Sequence, residues 1–136
     1  MYDARVAGEA KVDKLVLDFD EESKKELVVV HKELVKRLKP HQAQGIKFMW
    51  DACFESLKQI EKSEGSGCII AHCMGLGKTF QVVTLIHTLM AYEETGVNTV
   101  MVVCPLSTVL NWCNEFKIWL KHVPNADDIE IYELTK

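Results

Sequence analysis

The 136-residue sequence has no excess of basic residues: 16 Lys and Arg stand against 20 Asp and Glu, a net charge of −4. No global positive field invites nucleic acid, so any contact with DNA has to come from a local surface. The halves differ, with nine acids and nine bases in residues 1–39 and eleven acids against seven bases in residues 40–136. The five cysteines (Cys53, Cys68, Cys73, Cys104 and Cys113) include no Cys-x-x-Cys pair, and no histidine spacing suits zinc. An odd count, with Cys68 and Cys104 in predicted buried strands, is expected of reduced thiols in cytosol or nucleus. No apolar run approaches the roughly 20 residues of a membrane span, and the N-terminus lacks a signal peptide's apolar core. The expectation is a soluble intracellular protein with no membrane partner. Internal repeats and low-complexity tracts are absent as well.

What is present is enough apolar material for a core. Hydrophobic residues make up 48% and charged residues 26% of the chain, which fits one domain or a piece of one. Its centre is Ala71-His72-Cys73-Met74-Gly75-Leu76-Gly77-Lys78-Thr79, preceded by the apolar Cys68-Ile69-Ile70 and followed by Phe80-Gln81-Val82-Val83-Thr84-Leu85-Ile86. Strand, glycine-rich turn ending Gly-Lys-Thr, and helix is the context of a phosphate-binding loop. Glycines let successive N–H groups converge on an anion, and the helix N-terminus adds positive potential. Met74, Gly75, Leu76, Gly77, Lys78 and Thr79 are therefore the candidate nucleotide-binding residues. Lys78 would reach the outer phosphates, and the Thr79 hydroxyl would help hold Mg²⁺. Each charge-assisted hydrogen bond is worth about 1.5–3 kcal/mol, so no single contact makes the site. His72 stands where the strict Gly-x4-Gly-Lys-Thr pattern has its first glycine, which shifts the sharp bends to Gly75 and Gly77. The bland alternative is a glycine-rich turn that binds nothing.

Residues 1–13 read as a disordered lead-in. A short strand is expected over 14–19, a strand-like piece and short helix over 26–38, and a helix over about 41–61 behind Pro40. A loop over 62–67 leads to the strand 68–71, and a helix over 78–92 follows the phosphate loop. Val100–Cys104 is a second continuous apolar strand, a helix spans about 109–121, and 129–132 begins a third strand. Two apolar strands joined through a helix predict a β-α-β unit, its parallel strands buried on both faces. Ser107 and Thr108 follow the strand end where open α/β sheets bind ligands, although both residues also cap helices routinely. Trp112, Phe116 and Trp119 share a helical face and read as core in preference to a base-stacking set. Cys73 would sit beside Lys78 and a helix N-terminus, surroundings that lower a thiol pKa. It is either an oxidation-sensitive thiol whose modification blocks nucleotide or an inert one.

Three blocks together carry a resemblance: Leu38-Lys-Pro-His-Gln42-x-x-Gly45, Met74-Gly-Leu-Gly-Lys-Thr-x-Gln81, and Val103-Cys-Pro-Leu-Ser107-Thr-x-x-Asn-Trp112-x-x-Glu115-Phe116. In sequence and mutual spacing they resemble the SNF2 family, DNA-translocating ATPases of helicase superfamily 2. Ala71-His72-Cys73 in place of the usual Asp-Glu before the loop looks like the ATRX subgroup of chromatin remodellers, as do Gly65-Ser-Gly-Cys68 and Phe48-Met-Trp-Asp51. The resemblance implies a nuclear protein using ATP and Mg²⁺, with double-stranded DNA or chromatin as partner of the complete protein. It implies a partial RecA-like α/β lobe over 40–136, a parallel sheet flanked by helices, behind an N-terminal extension over 1–39. It further implies that Gln42 meets the adenine edge and that Pro105, Ser107 and Thr108 contact a DNA backbone, which positions without reading sequence.

The family's acidic Asp-Glu motif and its second lobe with arginine fingers are not found within these 136 residues, and Asp127-Asp128 precedes a predicted strand where the acidic pair should follow one. No catalytic residue is assigned, and turnover is not expected of this chain alone. Two rivals are a short non-catalytic paralogue acting as a binding or interfering module and, more weakly, a P-loop GTPase or kinase.

Overall fold

In the computed structural model, residues 12–71, 77–124 and 128–134 are described, and they begin with a hairpin. Strand β1 (Val16–Phe19) pairs antiparallel with β2 (Glu26–Val29), setting Val16 opposite Val29 and Phe19 opposite Glu26. Asp20 builds the turn: its carboxylate accepts from the Glu22 amide at 3.1 Å and the Ser23 hydroxyl at 3.0 Å. Leu17, Val28 and Val30 face inward and are almost wholly buried. Helix α1 (Lys32–Val35) follows, its start capped by His31 Nδ1, which accepts from the Glu33 amide at 3.1 Å. The strand, strand and short helix expected before residue 39 are therefore all present.

Helix α2 (Pro40–Cys53) starts where Pro40 predicts, with Lys39 held extended ahead of the ring at ψ 155°. The single helix expected over 41–61 is broken. Glu55 takes a left-handed φ of 68°, the buried Trp50 indole donates to the Glu55 carbonyl at 3.0 Å, and Ser56 opens a new helix, α3 (Leu57–Lys62). The Ser56 hydroxyl accepts from the Gln59 amide at 3.1 Å, so Ser-x-x-Gln is a helix start embedded in an apolar stripe that carried on across it. Helix α4 (Lys78–Ala91) and α5 (Val109–Leu120) match their expected spans, with short 3-10 turns at Glu93–Thr95 and Leu106–Thr108.

The expected parallel sheet is not seen among the described residues. Among the described residues the only sheet is the N-terminal hairpin, and 68–71, 100–104 and 129–132 form no strand. Ile69 and Val103 are each 87% exposed and Tyr132 is 76% exposed. A parallel strand is stable only when neighbours satisfy its backbone and cover both its faces, and none of these segments meets such a neighbour among the described residues. The observed class is mixed α/β with helices dominant.

The core lies where α2 and α5 pack on α4. The hairpin contributes Leu17, Val28 and Val30, and α1 and its end add Leu34, Val35 and Leu38, to the same buried cluster as Ile46, Trp50, Phe80 and Leu85. Val83 and Ile86 on the other side of α4 meet Phe116 and Leu120. Trp112 and Trp119 pack against that second cluster, so the aromatic face of α5 is core. No helix among the described residues is long and apolar enough to cross a membrane.

Two consequences can be measured. Trp50→Ala removes a fully buried indole and is expected to lower unfolding free energy by about 3–5 kcal/mol in urea titrations. His87, buried on α4 and edge-to-face with His31 at 6.2 Å, has its pKa pushed below the ordinary 6.5, chiefly by burial and then by His31. Lys32 and Tyr92 are its other neighbours with titratable groups around that cleft. The native state then binds fewer protons than the unfolded chain, so this stability is intact above 6.5 and is lost as pH falls from there through the depressed native value. Urea melts on either side of 6.5 should show the decline, and His87→Gln should flatten it.

Candidate functional site

The start of α4 is positioned by three groups. Gly77 precedes it at φ 75°, ψ 41°, a left-handed conformation that costs glycine little and an L-residue with a Cβ much more. Gln42, in the first turn of α2 and only 7% exposed, lies directly over Gly77: a Cβ placed there would collide with Gln42 Nε2 and stand 3.3 Å from its Cδ. On the other side Phe80 stacks on Trp119 of α5, with ring centroids 3.9 Å apart and planes at 21°. The first turn of α4 is thus clasped between α2 and α5.

Gln42 also serves its own helix, since its Oε1 accepts from the Lys39 amide at 2.8 Å. That bond answers one of the donors a helix start leaves over, and it aims the rest of the amide at Gly77. Lys78 and Thr79 open α4 half-buried, next to the helix's leading N–H groups. Met74, Gly75 and Leu76, with His72 and Cys73, lie outside the described residues. The structure therefore brings Gln42 together with the Gly77-Lys78-Thr79 end of the expected loop.

Pro105, Ser107 and Thr108 form a turn leading into α5. The Thr108 hydroxyl donates back to the Pro105 carbonyl at 2.8 Å and does not cap the helix, while Pro105 and Ser107 are exposed. Sequence reasoning assigned no role to Gln81. Its side chain is 1% exposed, and neither amide atom has a hydrogen-bond partner among the described residues; the same holds for the buried Thr84 hydroxyl. An uncharged amide three residues past Lys78, in an otherwise apolar stretch of helix, was the available signal. Among the described residues no cluster of three or more His, Cys, Asp or Glu could hold a metal.

Residues 41–130 match the profile of the SNF2-related domain. The chain belongs to the SNF2 family. Within that family it is 59% identical over 127 residues to the transcriptional regulator ATRX homolog of Drosophila melanogaster, covering 93% of this chain and 10% of that protein. It is 54% identical over 121 residues to the human transcriptional regulator ATRX, covering 89% of this chain and 5% of that protein. The mouse helicase ARIP4 is 39% identical over 107 residues, 79% of this chain and 7% of that protein. The chain thus spans a tenth or less of the length of these relatives and is ATRX-like among SNF2 proteins.

Both halves of the clasp can be separated. Gly77→Ala is expected to destabilise the chain by more than about 1 kcal/mol, from left-handed backbone strain plus collision with Gln42. Adding Gln42→Ala should relieve only the collision, so a double-mutant cycle in urea should give a non-additive, partly compensating pair. Strict additivity would mean that the amide does not press on Gly77.

Proposed function

We propose that this chain is the nucleotide-phosphate-binding portion of an ATP-dependent DNA translocase of the ATRX type, working on chromatin in the nucleus. The observation that carries the reading is the clasped start of α4. A left-handed glycine with no room for a Cβ is followed by a lysine, a threonine and the N-terminal turn of a helix, whose leading N–H groups carry positive potential. The residues fit MgATP chemically: Gly77 lets the backbone approach an anion, Lys78 supplies a mobile positive charge for the outer phosphates, and Thr79 offers a hydroxyl to Mg²⁺. Gly75, with Met74 and Leu76, would complete the loop. Gln42 lies over the glycine turn and, by family resemblance, would meet the adenine edge. MgATP, when bound, supplies the phosphoryl group whose hydrolysis drives translocation.

Pro105, Ser107 and Thr108 would meet the phosphate backbone of one DNA strand, a local contact compatible with a net charge of −4. The apolar segments 68–71, 100–104 and 129–132 would pair as a parallel RecA-like sheet in the complete lobe. Their exposure here supports that reading, because bare Ile69, Met101 and Val103 are the composition of a sheet's interior.

In a chain extended through both lobes, Lys78→Ala should reduce DNA-stimulated ATP hydrolysis by at least about a hundredfold while leaving thermal unfolding unchanged. Retained hydrolysis would remove Lys78 from the site. Binding of a labelled ATP analogue to the 136-residue chain, lost in Lys78→Ala, tests the site directly. No binding by a folded chain would favour a non-catalytic interaction module.

A further inference from the structure

Cys53 ends α2, and Cys68 follows it by 15 residues, beyond α3 and the loop 63–67. The fold returns the second sulfur to the first: Cys53 Sγ and Cys68 Sγ are 3.6 Å apart, with one thiol donating to the other. The backbone holds them there. The Ser66 amide donates to the Cys53 carbonyl at 3.3 Å, and Gly65, at φ 96°, runs so near that a Cβ on it would stand 3.4 Å from the same oxygen. Cys68 is exposed and Cys53 half-buried, so one sulfur meets solvent and the other waits behind it.

We propose that Cys53 and Cys68 form an oxidant-responsive thiol pair, which a neutral hydroperoxide converts reversibly to a disulfide. The exposed Cys68 sulfur attacks the O–O bond of hydrogen peroxide, the simplest such hydroperoxide, giving a sulfenic acid and releasing the distal oxygen as one water. The Cys53 sulfur then attacks Cys68 Sγ: the S–S bond forms, the S–O bond breaks, and the oxygen leaves as a second water with the Cys53 proton. Two thiols are oxidised and one peroxide is reduced. The sulfurs must close from 3.6 Å to about 2.0 Å, a movement within the scope of side-chain rotation and the loop.

The surroundings fit this division of labour. The Cys53 thiol pKa is pushed up to about 11, first by burial and then by its hydrogen bond with Cys68, which disfavours Cys53 as the initial attacker and leaves that step to the exposed Cys68. Asp51, Glu55 and Glu64 border the cleft of about 370 Å³ on the Cys53 side. Their negative charge repels anionic glutathione disulfide and leaves an uncharged peroxide unhindered. Once formed, the bond makes 53–68 a closed loop and restricts the unfolded chain.

Peroxide treatment of the purified 136-residue chain, then alkylation, digestion and mass spectrometry, is expected to yield a peptide joined through Cys53 and Cys68. It should be lighter by two hydrogens than its reduced halves and should be cleaved by dithiothreitol. The midpoint of thermal unfolding should rise on oxidation and return on reduction, and Cys68→Ser should remove both effects. The proposal is overturned if Cys68 accumulates as sulfinic acid while Cys53 stays open to alkylation, or if both thiols survive excess peroxide. A bond from either one to Cys73, Cys104 or Cys113 overturns it equally. The mapping is done on the unsubstituted chain, so misfolding of a variant leaves the test of the pair intact.

Discussion

The close approach of the Gln42 amide to the bare Cα of Gly77 is the constraint on which the site depends. It fixes two helix starts against each other. Gln42 is held by the Lys39 amide, Lys39 is held extended by Pro40, and Gly77 has room for no side chain. Sequence positions 35 residues apart are thereby joined in a contact that tolerates one residue type on one side. The Phe80–Trp119 stack closes the opposite flank, so Lys78 and Thr79 project from a helix end held on both sides.

Helix α4 tolerates polar groups that a structural helix would avoid. The Thr88 hydroxyl is satisfied by the Thr84 carbonyl at 2.9 Å, but the Gln81 amide and Thr84 hydroxyl are buried without partners among the described residues. Each such group costs about 1–3 kcal/mol when left unpaired. Burial of Val83, Leu85, Ile86 and Leu89 on the same helix offsets that cost.

Much of this was legible in the sequence because it is local. The apolar spacings that mark α4 and α5 are properties of short windows, and so are Pro40 at a helix start and the Gly-Lys-Thr that opens α4. The strands of the hairpin were readable for the same reason, whereas their pairing across a six-residue turn that Asp20 organises was not. The break at Ser56 was hidden by an apolar stripe that kept its period across Phe54 and Leu57. Strand formation over 68–71 and 100–104 failed as an expectation because a strand is a paired state, and composition reports only fitness for pairing. The Gln42–Gly77 contact lay beyond any window: nothing in Pro-His-Gln says which turn of chain will come to rest on it. The Gly77-Lys78-Thr79 start of α4 was legible, whereas residues 72–76 of the expected phosphate loop lie outside what the structure describes.

The outer edge of β2 has an unusual finish. The Tyr92 phenol, arriving from the end of α4, accepts from the Val29 amide at 3.0 Å and donates to the Val29 carbonyl at 3.2 Å. One hydroxyl thus takes the place that the backbone of a third strand would fill. Edge-to-edge recruitment of another polypeptide is blocked at that rung of the hairpin, and any tendency of the molecule to self-associate is left to its uncovered apolar segments.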